Sequence, residues 1–381
     1  MRNTHRCVIV LLGLLLAGFP AAPSALGKGR AEHVVVVVFD GMRPDFVTPQ
    51  HTPTLYWLAT NGVFFRHNHC SYVSSTHVNG AALATGQQPS RSGIMANTHY
   101  QPELNWNAGY GTEALDPVRR ADLLTDGHYL LSPTLAETLH QSGIPTIIAG
   151  AKPVTLLLDR SPFRTNAASA RSPVLFAGRT LPRALADQLK KANDDKDFPG
   201  TVTYPNTGQD TWTTKALTKV LWKEQVPKFT LLWLSEPDKT QHDSGVGSDK
   251  SIEAIEGSDQ RLREVIETLQ AKKVWDKTDL FVVSDHGFST IQRGPDLVKI
   301  LRRQGFNATK ALDNPEPGDV LVIGLGGSAS LYVFGRETTV IHRLVEALQT
   351  SDYAGVIFSR LPIEGTFPLN QVGIGTTNHS P

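Results

Sequence analysis

An α/β fold, with a central mostly parallel sheet and helices on both faces, is predicted from three observations. Five consecutive valines, Val34 to Val38, and Phe39 run without a break into Asp40-Gly41. An uninterrupted β-branched run is what a strand buried on both faces requires. The pattern returns in FTLLWLSEPDKTQH, Phe229 to His242, and in LFVVSDHGF, Leu280 to Phe288. Between these runs lie segments with helical spacing and their own start and stop signals. Each strand thus delivers an acidic residue to its C-terminal end, where open α/β sheets place their chemistry.

The elements follow in chain order. TPTLYWLATNG (Thr52 to Gly62) predicts a short helix with Thr52 as N-cap and Gly62 as stop. In HCSYVSSTHVNGAALATG, hydroxyl-bearing Ser74, Ser75 and Thr76 precede the small-residue run Gly80 to Ala84. A helix starting there offers its free N–H groups to an anion. Residues Gln101 to Gly127 show no periodicity and are expected to form a surface loop or insertion. Ser132-Pro133 and Gly143 bracket a helix that feeds the strand PTIIAGA. Arg160 to Tyr204 is expected to decorate the core fold. Helices are predicted in DTWTTKALTKVLWKE and SIEAIEGSDQRLREVIETLQAKK, each before an acidic strand. The glycines Gly324 to Gly327 lie between two apolar runs, which predicts a hairpin and not a dinucleotide loop, since no helix follows. VIHRLVEALQTS reads as a helix and GVIFSRL as a strand.

The 381 residues suffice for one large domain with loop insertions. Lys plus Arg number 37 against 36 Asp plus Glu, with no long basic block, which argues against an obligate nucleic-acid partner. Residues 1–27 carry Arg2 and Arg6, then CVIVLLGLLLAGF, then small residues. That is the layout of a secretory signal, and its apolar run is short for a membrane span. The expectation is an exported protein, periplasmic or secreted, with no stable membrane anchor after cleavage, whose catalytic domain occupies 28–381. Cys7 lies in the signal, leaving Cys70 alone, so no intramolecular disulfide is expected.

Asp40, Asp238, His242, Asp285 and His286 all fall at predicted strand ends, and Asp238 and His242 have the i, i+4 spacing of one helical face. One aspartate after a strand is ordinarily a cap or turn residue. Five such residues at equivalent ends point to a metal site, and mixed carboxylate and imidazole donors favour zinc among divalent metals.

With FDGMRPD, STHVNGAALATG, EPDKTQH, SDHGF and TNHSP in this order, from Phe39 to Pro381, the sequence resembles the alkaline phosphatase superfamily, in particular its nucleotide pyrophosphatase/phosphodiesterase branch. The resemblance implies an alkaline-phosphatase-like fold and hydrolysis of phosphate esters, with phosphodiesters or nucleotide pyrophosphates as small-molecule substrates. It implies a site for two Zn2+ ions, or other divalent metals, with Thr76 as nucleophile and a phosphothreonine intermediate. One ion would be held by Asp40, Thr76, Asp285 and His286, the other by Asp238, His242 and His379. Asn79 would donate to a non-bridging phosphate oxygen. Relatives usually have a histidine where this chain has Gly80 and a proline where it has Val78. They also usually continue beyond the residue matching His379, which leaves open a shortened chain or a fragment without its C-terminal segment.

A sulfatase is set aside, because Cys70-Ser71-Tyr72-Val73-Ser74 lacks the proline and arginine of the formylglycine motif. A phosphomonoesterase or a phosphonate hydrolase would use the same ligands, and a catalytically silent binding module would keep the fold. Lys152 in AGAKPV either meets a phosphate or carboxylate, as a lysine does in related phosphonate-cleaving enzymes, or is a surface lysine in a turn. His99 and Tyr100 either wall the substrate pocket or are solvated.

Overall fold

The computed structural model describes residues 31–161, 171–200, 203–375 and 381. The expected signal, 1–27, and His379 lie outside the described residues. The valine run forms β1, His33–Phe39. Around it lie β2 (Thr146–Gly150), β3 (Val174–Phe176), β4 (Arg179–Leu181), β5 (Phe229–Leu234) and β6 (Thr278–Val283). The sheet runs β4-β3-β2-β5-β1-β6, and every neighbouring pair is parallel except β3 with β4.

Alternate β1 side chains point to opposite faces, and both faces are covered. Val36 and Val38 pack with Val78, Ala81 and Ala84 of the helix Thr76–Thr85. Val35, Val37 and Phe39 pack with Trp212 and Ala216 of the helix Thr207–Ala216 and with Ile255, Leu262 and Val265 of the helix Asp249–Ala271. This double burial is why the strand can be apolar at every position. Trp233 of β5 and Val283 of β6 are both paired with Val38, so the three acidic segments leave the sheet side by side.

A smaller sheet holds the glycine hairpin, Val320–Leu325 antiparallel to Ser328–Val333, with Ala308–Thr309 alongside. Gly326 takes φ +54° in the tight turn, the left-handed conformation that favours glycine there. The helix Thr338–Gln349 packs Leu344 against Val320 and Val322.

Several local expectations change. Residues 101–127 contain the helix Leu115–Leu124, whose Val118 and Ala121 enter the core. Its periodicity is masked by Pro117 in the first turn and by Leu123, which is 80% exposed. The segment 160–204 supplies β3, β4 and the helix Ala186–Ala192, and strands of three residues leave no readable period. Thr52 precedes the helix Pro53–Asn61 but does not cap it; Asp259 of the neighbouring long helix accepts from Thr54 N and Leu55 N at 3.0 and 2.8 Å. The next helix starts at Leu135, two residues after Pro133, with Thr134 and Glu137 forming a capping box. The strand expected in GVIFSRL shrinks to Phe358–Ser359.

Gly80 sets the spacing between the helix Thr76–Thr85 and the sheet. A Cβ there would stand 2.5 Å from Val154 Cγ2 and 3.5 Å from the Trp233 ring. Gly80→Ala should therefore overpack this layer and cost about 1–3 kcal/mol. The expected outcome is a lower thermal midpoint than the parent's, and an unchanged midpoint would show that the layer yields freely.

Candidate active site

The site forms where β5, β1 and β6 end. Gly41 takes φ +71°, turning the chain directly after Asp40, and a Cβ at this position would meet Asp238 Cβ at 3.0 Å. The turn is tied on three sides: Gly41 N donates to Asp285 Oδ1 at 3.0 Å, Gln241 Nε2 to Gly41 O at 2.9 Å, and Asp238 N to Asp40 O at 3.0 Å. Trp233 Nε1 donates to Asp40 Oδ2 at 2.7 Å, so the core side chain beneath Gly80 also orients the carboxylate of β1.

Behind Asp238 lies a buried acidic brace. Asp210 accepts from Ser235 N at 2.6 Å and Glu236 N at 3.1 Å. Glu236 accepts from Asn206 N, Thr240 N and Thr240 Oγ1 at 2.7, 3.0 and 2.7 Å. Together they fix the passage from β5 into the helix Asp238–Ser244. Burial pushes Asp210 up to about 7 and also raises Glu236.

Asp40, Asp238 and His286 bring ligand atoms within 4.8 Å of one another. His286 Nε2 lies 3.6 Å from Asp40 Oδ1, 3.8 Å from Asp238 Oδ1 and 3.4 Å from Asp285 Oδ2. Asp40 Oδ1 and Asp285 Oδ2 are buried without a hydrogen-bond partner, and Asp238 Oδ1 has only the exposed His242, Nε2 at 3.4 Å. Leaving buried acceptors unpaired is costly, and a divalent cation among them would satisfy all three. The imidazole is set for the same task. His286 Nδ1 is 2.7 Å from Gly287 O, and a carbonyl can only accept, so Nδ1 carries the hydrogen and Nε2 its lone pair. Thr76 Oγ1, in the first turn of its helix, stands 3.1 Å from that Nε2. The donor set therefore fits a divalent metal such as zinc.

Lys152 is no surface lysine. Its side chain is 12% exposed, and Nζ lies 2.9 Å from Asp40 Oδ2 and 2.8 Å from Asp238 Oδ2. Burial acts downward on its pKa, but Asp40, Asp238 and Asp285 more than reverse this and raise it above the ordinary lysine value. Burial pushes Asp40 well above the usual carboxylate range, with Asp285 adding to the effect. For Asp238 burial also acts upward, yet Lys152 and the bond to His242 hold it below its ordinary value.

The structure brings Thr76, Asp40, Asp238, Asp285 and His286 together, with His242 at the rim. His242 Nε2 is 3.4 Å from Asp238 Oδ1, its ring is edge-on to Phe288 at 4.7 Å, and its side chain is 71% exposed. The bond to Asp238 raises its pKa. Asn79 is buried in the helix Thr76–Thr85, where Oδ1 accepts from Ser71 N at 2.7 Å and Nδ2 donates to Ser75 O and Ser71 O at 3.2 and 3.3 Å. His99 is not solvated but buried, 2.5 Å from the Tyr110 hydroxyl, whereas Tyr100 is half-buried against Tyr332. His77 was not singled out for a role, yet it clamps the first helical turn, with Nδ1 2.8 Å from Thr112 Oγ1 and Nε2 2.8 Å from Glu113. Its place directly after Thr76 was the available signal.

Asp285→Ala and His286→Ala each remove a donor from the convergent set. Either variant should lose bound zinc and activity together, and full zinc content with parent rates in either one would contradict the ligand assignment.

The family model for type I phosphodiesterase / nucleotide pyrophosphatase matches residues 34–357. Human ectonucleotide pyrophosphatase/phosphodiesterase family member 7 is 24% identical over 315 residues, covering 80% of this chain and 58% of the relative. Venom phosphodiesterase 2 of Crotalus adamanteus is 24% identical over 281 residues, covering 72% of this chain and 28% of the relative. The chain thus spans less than two thirds of the length of these curated relatives. Among solved structures, murine ectonucleotide pyrophosphatase/phosphodiesterase 5 in complex with AMP shares the fold at TM-score 0.56 and 21% identity, covering 83% of this chain and 70% of that one. Phosphonoacetate hydrolase from Sinorhizobium meliloti with phosphonoformate shares it at TM-score 0.57 and 18% identity, covering 85% and 75%.

Proposed function

From its membership of the type I phosphodiesterase / nucleotide pyrophosphatase family, to which this chain belongs, we propose that the protein hydrolyses phosphodiester or nucleotide pyrophosphate bonds at a two-zinc site through a covalent phosphothreonine intermediate. The observation that carries this reading is the Thr76 hydroxyl held 3.1 Å from His286 Nε2, beside the unpartnered buried oxygens Asp40 Oδ1 and Asp285 Oδ2. Asp40, Asp285 and His286 would hold one ion with Thr76, and Asp238 and His242 the other together with His379. Bound there, zinc supplies a lowered pKa for the nucleophile and positive charge for the phosphoryl group.

The remaining steps belong to the chain. The Thr76 oxygen gives its proton to solvent and attacks phosphorus, and the alcohol or phosphate on the opposite side leaves with the electrons of the broken P–O bond, an alkoxide taking a proton back from water. Water then cleaves the Thr76–phosphorus ester and restores the hydroxyl. The ten-residue helix Thr76–Thr85 presents its positive end to the phosphoryl oxygens. We assign Asn79 to a non-bridging oxygen, taken in exchange for its two long bonds to Ser71 and Ser75.

Lys152 favours a second reading. An ammonium within the carboxylate cluster could meet a substrate carboxylate or a second phosphate group, which suits a phosphonate hydrolase with a carboxylated substrate. Paired assays with a phosphodiester and a monoester of one chromophore, together with phosphonoacetate, separate the readings. The primary reading expects the diester to turn over fastest.

Thr76→Ala should fold and retain zinc through Asp40, Asp285 and His286, yet lose about three orders of magnitude or more in rate. Thr76→Ser should keep measurable turnover. Acid quench of the parent should trap a phosphoryl adduct on the peptide containing Thr76. Parent-like rates for the alanine variant, with no adduct, would replace the covalent route by direct attack of water.

A further inference from the structure

The helix Thr76–Thr85 begins without help from the residue before it. The Ser75 side chain caps nothing, and its buried hydroxyl has no hydrogen-bond partner among the described residues. The first turn of a helix lacks intrahelical acceptors for its N–H groups, and it is where fraying starts. Yet this turn carries Thr76, whose Oγ1 stands 3.1 Å from His286 Nε2. Its restraint comes from the segment 96–113. Asn97 Oδ1 accepts from His77 N at 2.9 Å and takes over the cap. The His77 ring then grips the same segment with both nitrogens. Nδ1 is 3.0 Å from Asn97 O and 2.8 Å from Thr112 Oγ1, and because a carbonyl only accepts, Nδ1 donates. Nε2 stands 2.8 Å from Glu113 Oε2, a buried oxygen with no other partner among the described residues.

The far side of this clamp is itself held. Thr112 N donates to Asn97 O at 3.0 Å, beside the antiparallel pairing of Thr98–His99 with Tyr110–Gly111. The buried Tyr129 donates its hydroxyl to Thr112 O at 2.8 Å. Tyr100 packs on Tyr332, and Gly109 lies so close to Ile323 that a Cβ would stand 2.7 Å from its Cδ1, so the segment rests on the smaller sheet.

We propose that His77 is a positioning residue for the attack of Thr76: it passes the rigidity of the segment 96–113 to the turn that carries the reacting oxygen. This rests on the phosphothreonine reading above. Core packing through Val78 and Ala81 sets the height of the helix over the sheet, and it acts on the buried face alone. His77 fixes the end of the helix, where the Thr76 oxygen must stand in line with phosphorus. Both ring nitrogens are engaged by the protein, so the ring acts through Thr76 and not on the substrate. A displacement of about 1 Å at a reacting atom costs on the order of a hundredfold in rate, and it leaves the other contacts to the substrate in place.

The test is single-turnover formation of the phosphoryl adduct on the peptide containing Thr76, trapped by acid quench, together with steady-state rates on a chromogenic phosphodiester. The zinc-loaded full chain is compared with His77→Leu, His77→Asn and Glu113→Gln. Leu keeps bulk in the buried space without the polar atoms, Asn returns an amide nitrogen near the place of Nδ1, and Gln at 113 removes the charge facing Nε2 while the ring stays. His77→Leu should form the adduct about tenfold to a hundredfold more slowly, with KM within about twofold of the parent's and zinc content unchanged. His77→Asn should recover most of that rate. Glu113→Gln should slow the adduct by a smaller factor, again through kcat, and it carries the test should the leucine variant fail to fold. Parent adduct rates per folded molecule in the variants, with only the thermal midpoint lowered, would overturn the proposal and leave the phosphothreonine reading standing. A raised KM with unchanged kcat would overturn it as well, by placing His77 in substrate binding. If the parent itself forms no adduct on the Thr76 peptide, the phosphothreonine reading falls and the role of His77 with it.

Discussion

Three carboxylates buried at neighbouring strand ends form the constraint on which the rest of this structure depends. Asp40, Asp238 and Asp285 are all buried, Asp40 and Asp285 each keep one oxygen without a hydrogen-bond partner, and Asp238 Oδ1 meets only His242. Like charges at this spacing in a poorly hydrated pocket repel strongly, and each buried ion carries a penalty of several kcal/mol unless paired. The chain meets that cost in two ways. Lys152 neutralises one side of the cluster, and the other side is shaped as a ligand set for a divalent ion. Such a cluster is hard to explain as a stabilising device, because uncharged residues would pack the same space at lower cost. It makes sense as a binding site held in place by the sheet.

The sheet and the site are one mechanical unit. Trp233 packs in the core beneath the helix Thr76–Thr85, and its indole N–H orients Asp40. Gly80 lets that helix lie close enough for Thr76 to reach His286. Asp210 and Glu236 hold the turn that carries Asp238, and Gly41 turns β1 so that its backbone binds Asp285. Disturbing the core layer should therefore move the chemistry even where no reacting atom is touched.

Much of this was legible in the sequence because the informative signals were long or repeated. Three apolar runs ending in acidic residues revealed the central strands, and their register brings Asp40, Asp238 and Asp285 together as the repetition implied. The glycine hairpin was legible from the strand that follows it. What escaped notice was short or carried by partners far apart in the chain. Strands β3 and β4 have three residues each, too few for a period. The helix Leu115–Leu124 hides Val118 and Ala121 among a proline, two arginines and exposed leucines. The place of Lys152 follows from the pairing of β2 with β5, and no local pattern distinguishes it from a lysine in a surface turn. Asp259 takes over the cap expected of Thr52 from a helix about two hundred residues away in sequence, which only the fold reveals.

The central claim is that these strand ends exist to hold a divalent ion beside Thr76. Anomalous diffraction at the zinc edge, from crystals grown with zinc, tests it most directly. The expected result is a peak bounded by Asp40 Oδ1, Asp285 Oδ2 and His286 Nε2, within bonding reach of Thr76 Oγ1. Zinc bound only elsewhere on the protein, with these oxygens satisfied by water or by Lys152 alone, would contradict it.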